Sequence, residues 1–286
     1  MSTDHRPQTT DLLLPLTYMR KKEELICGAS TISEKQKRNQ KVRDIIYPWD
    51  LISHLKEDME DDFKHIEIGI NGKVHDSAVL INKENIYIGS DAEIGACAVL
   101  DASKGPIYIG KKTIVHPQAL LRGPLYIGKD CRIAGELVNS VLMDYVNKGH
   151  YGFLGHSYIC PFVNLGAGTT NSNLKNNYSN VNVFVDGKTM DSGQTFLGCF
   201  VGDHTKTAIG TMIYTGCVIG VCANLFGEPY YKKHIPSFAW GIKGKQTLEQ
   251  AIETAKAAMK RRNVEFTSKD EELLKKVFEL SNKTNL

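Results

Sequence analysis

The chain has 286 residues, of which 42% are hydrophobic and 23% charged, with a formal net charge of +3. That balance is globular, and the charge is too mild to imply nucleic acid. The longest apolar run near the N-terminus, residues 12–16, is broken by Pro15, so neither a signal peptide nor a membrane span is expected.

Seven cysteines, Cys27, Cys97, Cys131, Cys160, Cys199, Cys217 and Cys222, are scattered without a CxxC pair. They read as core-filling thiols of a reducing compartment, which predicts a cytoplasmic protein. Residues 1–10 are polar and expected to fray. Residues 11–35 read as an apolar strand, a basic turn and a mixed segment. A triphosphate loop needs closely spaced glycines, and the first glycine of the chain is Gly28. Residues 49–63 read as one helix with Leu51, Ile52, Leu55 and Met59 on one face, placed to pack across the start of the next domain.

From Val74 a six-residue period takes over. Ile88, Ile94 and Leu100 form one series; Ile109, Val115, Leu121, Ile127 and Ile133 a second; Val201, Thr207, Ile213, Ile219 and Leu225 a third. A helix repeats every 3.6 residues and a two-sided strand every two, so six means a short strand plus a corner. Three hexads close a triangular coil with aliphatic residues inside, and stacked coils give each strand neighbours above and below. The fold predicted is mainly β: a left-handed parallel β-helix of hexapeptide repeats with C-terminal helices and a small N-terminal α/β segment.

The period slips over residues 136–150 and disappears over 170–196, where insertions are expected to stand out from the prism and gather binding groups. After Leu225 the chain leaves through FGEPYYKKHIPSFAWG. Residues 246–263 read as an amphipathic helix, and Ser268-Lys269-Asp270-Glu271 as a capping box opening a last helix. Both helices are expected to cap a coil edge or a neighbouring subunit. The predicted division is 1–62, 63–243 and 244–286.

Residues 148–181 hold the densest set of reactive groups. Phe153, Ile159 and Leu165 fall six apart, His150 precedes them, and Asn164 and Asn173 flank Gly166-Ala167-Gly168. An imidazole and carboxamides beside nearly bare backbone are suitable parts for moving an acyl group. An imidazole, ordinarily of pKa near ~6.5, is matched to taking up a proton near neutral pH.

GH-x-x-x-LG, VNLGAGT and the Asn that follows resemble the acetyltransferase half of bifunctional N-acetylglucosamine-1-phosphate uridyltransferases. With KGHYGFLG, NSNLKNNYSNV, GDHTK and IPSFAWG, the run is closer still to a bacterial branch labelled as sugar nucleotidyltransferases. LLLPLTYMRKKEELICG resembles the early part of such a transferase domain without its central part, so residues 1–62 are expected to be a remnant unable to transfer a nucleotide. The resemblance covers residues 11–280 apart from that missing middle. It implies a homotrimer with acetyl-CoA, or another acyl-CoA, in the groove between prisms, and an amino sugar, sugar phosphate or nucleotide sugar as acceptor. It places His150 as general base, the Ala167 N–H as oxyanion donor, and Asn164 and Asn173 as sugar contacts.

The chain departs from the family pattern in three places. Phe153 and Leu174 stand where the family has tyrosines, and Ser179 where it has a phosphate-binding lysine; Lys175 or Lys206 could substitute. Arg122 is a candidate for a phosphate contact because its fork suits phosphate oxygens. Gly166, Gly168, Lys206, Arg261 and Arg262 are candidates for the coenzyme. Asparagines and glycines also serve coil corners, so Asn164 and the glycines carry a structural reading beside the functional one. A zinc site from His116, His150, His156 and His204 lacks ligand spacing, since residues six apart fall on successive faces; no metal is expected.

The reading is an acyl-CoA-dependent N-acyltransferase without nucleic-acid or membrane partners. The alternative is a catalytically silent trimeric scaffold that binds a sugar or nucleotide.

Overall fold

The hexads build a parallel β-solenoid in the computed structural model, which describes residues 11–227 and 232–283. The expected fraying of residues 1–10 and part of the exit segment, residues 228–231, lie outside the described residues. Inside the prism, Ile94 pairs with Val115, Val115 with Ile133, Leu165 with Thr207 and Thr207 with Leu225, so one mostly aliphatic ladder runs up the interior. The three predicted series are buried almost completely.

Each coil has three faces. The first carries Tyr87, Tyr108 and Tyr126 outward, their rings stacked at 4.6 and 5.0 Å. The second carries Arg132, Asn147, Asn164, Lys206, Asn224 and Trp240 in register. The third carries Leu120, Glu136 and Phe153, followed by Thr170 paired with Met212.

Coil length explains the slip over residues 136–150. Val115 pairs eighteen residues on with Ile133, but Ile133 pairs only fifteen on with Lys148, and Asn147 seventeen on with Asn164. The missing residues are taken from corners, so the coils stay stacked and nothing protrudes there. One result corrects the sequence reading: Leu154, 2% exposed, faces inward, and Phe153 faces outward on the third face.

Three further expectations change. Residues 12–16 form turns rather than a strand; Pro15 offers no N–H, and Leu13 and Leu16 are buried as anchors. The helix over 49–63 is two, α2 (Asp50–Ser53) and α3 (Leu55–Asp62), after α1 (Ile32–Lys37). They cover the middle of the first face, where Trp49, Leu51, Leu55 and Met59 share a core with Tyr126, Val141, Tyr158 and Phe200. The insertion over 170–196 does not stand free either. Its hairpin, Asn182–Val185 against Lys188–Asp191, buries Val181, Val183 and Val185 in that same core.

A buried charge cluster fixes the N-terminal segment. Asp62 accepts from Lys35 at 3.0 Å, from Arg38 at 3.2 Å and from the Ala29 N–H at 2.8 Å. With several donors on one carboxylate the buried charge is compensated.

Helices α4 (Leu248–Lys260) and α5 (Ser268–Lys283) pack Ala251, Ala255, Leu274 and Val277 on Val221, Cys222 and Phe238 of the last coils. The capping box of α5 starts one residue earlier than predicted: Thr267 N–H donates to the Asp270 carboxylate at 2.8 Å. No helix among the described residues is long and apolar enough to cross a membrane.

Candidate active site

Between the second and third faces, successive coils turn the same corner with residues 149–152 and 166–169. The pairing of Asn147 with Asn164 sets an offset of seventeen, and the Gly168 N–H donating to the Tyr151 carbonyl at 3.1 Å shows that it holds through the corner. His150 and Ala167 are therefore stacked one coil apart, a separation of about 4.8 Å for hydrogen-bonded neighbours.

His150 is exposed. His116 approaches the same corner, and its pKa is held below the ordinary value by burial, then by Arg132 and His150. Among the described residues the Ala167 N–H has no hydrogen-bond partner, whereas its neighbours are tied down: Gly166 N–H donates to Thr207 Oγ1 at 3.0 Å and Gly168 N–H to Tyr151. A Cβ on Gly166 would lie 2.7 Å from the Ala208 backbone, so close coil stacking requires glycine there. One free backbone donor and one exposed imidazole thus share the corner.

Asn173 is elsewhere. The same offset stacks it on His156, at the corner between the third and first faces, and its amide nitrogen lies 2.9 Å from His156 Nδ1. Burial pushes the His156 pKa down to about 4, and its ring stacks on Phe196 at 5.6 Å. His150 and Asn173 thus mark the two ends of one prism face, with Phe153 and Thr170 between them. Sequence reading passed over His156 as a partner of Asn173; the seventeen-residue coil offset, rather than the hexad, would have found it.

The remaining candidates separate. Asn164 accepts from the Asn147 side chain on the second face. Lys206, next in that ladder, donates to the His204 carbonyl at 2.9 Å. Both line a cavity of about 510 Å³ between the second face and α4, with Arg132, Arg261 and Arg262. Asp130 lies 3.2 Å from Arg132 and 3.7 Å from Arg262, so that cavity remains net positive. Arg122 is paired with Glu136 on the third face, two coils from Gly155. Lys175 turns within the insertion to Ser179 Oγ at 3.3 Å and the Asn180 carbonyl, near Asn173 and away from His150. No group of His, Cys, Asp or Glu among the described residues could hold a metal ion. All seven cysteines are free, and six are buried.

The chain is 32% identical over 186 residues to a bifunctional sugar-1-phosphate nucleotidylyltransferase/acetyltransferase of Sulfurisphaera tokodaii, covering 64% of this chain and 44% of that protein. Over that stretch it is similar in sequence to this bifunctional transferase. A second relative, the bifunctional protein GlmU of a Cyanothece species, is 30% identical over 158 residues, 54% of this chain and 29% of that one. The chain thus spans less than half the length of either homologue. Among solved structures, a Francisella novicida UDP-N-acetylglucosamine acyltransferase aligns with a TM-score of 0.40 and 14% identity, over 72% of this chain and 87% of that one. No family model matches the chain.

Proposed function

We propose that the chain is an acyl-CoA-dependent N-acyltransferase, most simply an acetyltransferase, acting on an amino sugar or its phosphate or nucleotide derivative. The observation that carries this reading is the stacking of His150 and the unpaired Ala167 N–H at one corner. His150 takes the proton that the acceptor amine loses as nitrogen attacks the thioester carbonyl. The Ala167 N–H receives the oxygen that becomes negative, and collapse expels the coenzyme thiolate, which takes up the proton held by His150, leaving an amide and a thiol. Six of the seven cysteines are buried whereas His150 is exposed, so attack is read as direct, without an acyl-enzyme.

The positive cavity of Lys206, Arg132, Arg261 and Arg262 suits the coenzyme's phosphates. Gly166 lets the coils stack closely beside the Ala167 N–H, and Gly168 lies against the Tyr151 ring. Phe153 and Asn173, along the third face, would meet the acceptor, with Lys175 and Arg122 at its margins. Asn164, already bonded to Asn147, takes a structural part first.

A homotrimer completes this site. Apolar groups stay exposed on the third face and its corners: Ile209 at 80%, Tyr151 at 73% and Met212 at 40%. A neighbouring prism would bury them and close the groove over His150. Nucleotide transfer is not expected from residues 11–62, because their single glycine, Gly28, cannot supply the closely spaced glycines of a triphosphate loop.

Calorimetric titration with acetyl-CoA, alone and with glucosamine 1-phosphate, is the test. Binding is expected at sub-millimolar coenzyme, followed by turnover on some amino sugar; no binding at millimolar coenzyme means a silent scaffold instead. In the active protein, His150→Ala lowers turnover by about 10²–10⁴-fold with little change in coenzyme affinity. Unchanged turnover removes His150 from the mechanism.

A further inference from the structure

The interior ladder of the second face reads Ile94, Val115, Ile133, then Lys148, before resuming with Leu165. A lysine thus occupies an aliphatic position inside the prism, 1% exposed. The shortened coil places it there: pairing with Ile133 comes fifteen residues on, not eighteen. Its ammonium has no carboxylate partner. Nζ donates to the carbonyl of Ala134 at 3.1 Å and to the carbonyl of His150. The titratable or charged groups around this corner are His116, Arg132, His150 and Glu136, and Glu136 is already paired with Arg122. Burial alone acts on the lysine, pushing its pKa down to about 8.

An unpaired ammonium inside an apolar prism is costly, and a leucine there would be the stable choice. What the lysine does instead is local. His150 and Tyr151 are exposed and sit between Gly149 and Gly152, and Gly152 has φ +126, open only to glycine. Such a corner has high backbone freedom. The Gly168 N–H fixes Tyr151, and Lys148 fixes His150 from inside.

We propose that Lys148 is a positioning residue for the acyl transfer, holding the His150 backbone at the height of the Ala167 N–H. This rests on the acyltransferase reading above, but the contact itself can be tested without it. Positioning groups act on the step that needs alignment, so their loss lowers kcat rather than binding.

The test compares Lys148→Met, which fills the same space without a donor, with Lys148→Gln, which keeps a neutral donor. Lys148→Met is expected to lower kcat about 10–100-fold with acetyl-CoA Kd unchanged, and Lys148→Gln to recover part of that loss. Equal kcat in all three proteins, or Met and Gln variants equally impaired with Kd weakened, overturns the proposal. Histidine-labelled NMR supplies a readout that needs no turnover. At fixed pH the His150 resonances should shift between the unsubstituted protein and Lys148→Met, because the bond from Lys148 to the His150 carbonyl is lost. Unshifted His150 resonances overturn the contact even if acyl transfer is found. A shift without acyl transfer to any amine sinks the reaction instead.

Discussion

Single residues at the two corners differ in how they meet water, and their roles follow. His150 is exposed on glycine-rich backbone, ready to exchange protons, whereas His156 and His204 are enclosed. Burial holds both of the latter near pKa 4. An imidazole kept neutral in the folded state takes its proton first in the unfolded chain, so the unfolded state binds more protons between about pH 6.5 and about pH 4. Stability should therefore fall as pH drops through that window, by up to about 1.4 kcal/mol per pH unit for each histidine. Urea unfolding followed at pH 7, 6 and 5 measures it. His156→Gln, which keeps a partner for Asn173, should flatten the dependence; an unchanged slope would show that His156 is not the group responsible. Asn173 was visible in the sequence as a site candidate. Its partner was not, because the hexad says which side chains point inward but not how long each coil is.

At the scale of elements, local signals fixed what local chemistry controls. Helix α4 begins where Thr247 and Gln250 exchange bonds, Gln250 N–H to Thr247 Oγ1 at 3.2 Å and Thr247 N–H to Gln250 Oε1 at 3.0 Å. In α5 the same box is made by Thr267 and Asp270, not by Ser268. Thr267→Ala should cost about 1 kcal/mol, while Ser268→Ala should stay within about 0.5 kcal/mol. Thermal unfolding of the two variants distinguishes them, and equal losses would restore the cap to Ser268. Residues 12–16 show the opposite case. Their composition suits a strand, but a strand needs a partner for its N–H and carbonyl groups, and the first face is covered by side chains of the N-terminal segment. The residues fold into turns and contribute leucines to that core.

At the scale of the whole molecule, the first face is covered by the N-terminal segment and hairpin, and the second is flanked by α4. The third is left open with Phe153, Thr170 and Met212 outward. A trimer through this face brings a second prism against the His150 corner, so assembly and activity should fail together. Met212→Lys is expected to shift the protein from trimer to monomer in light scattering and to lower turnover about tenfold or more, since burying an unpaired charge in such a contact is costly. A monomeric unsubstituted protein would refute the trimer, and a trimeric variant would place the contact on another face.

The sequence by itself determined the solenoid, because a six-residue alternation of aliphatic and small residues leaves one way to bury the aliphatic set. It also marked His150, Ala167 and Asn173, since glycine-rich backbone beside an imidazole is written locally. Which of these residues meet was decided by tertiary structure alone. Coil offsets of fifteen and seventeen residues stack His150 with Ala167, give Asn173 to His156, turn Phe153 outward and bring Lys148 inside. Offsets are set by which corners lose residues, and a corner can shorten only where the coils above and below still match their hydrogen bonds, a condition between distant segments that no single stretch of sequence contains.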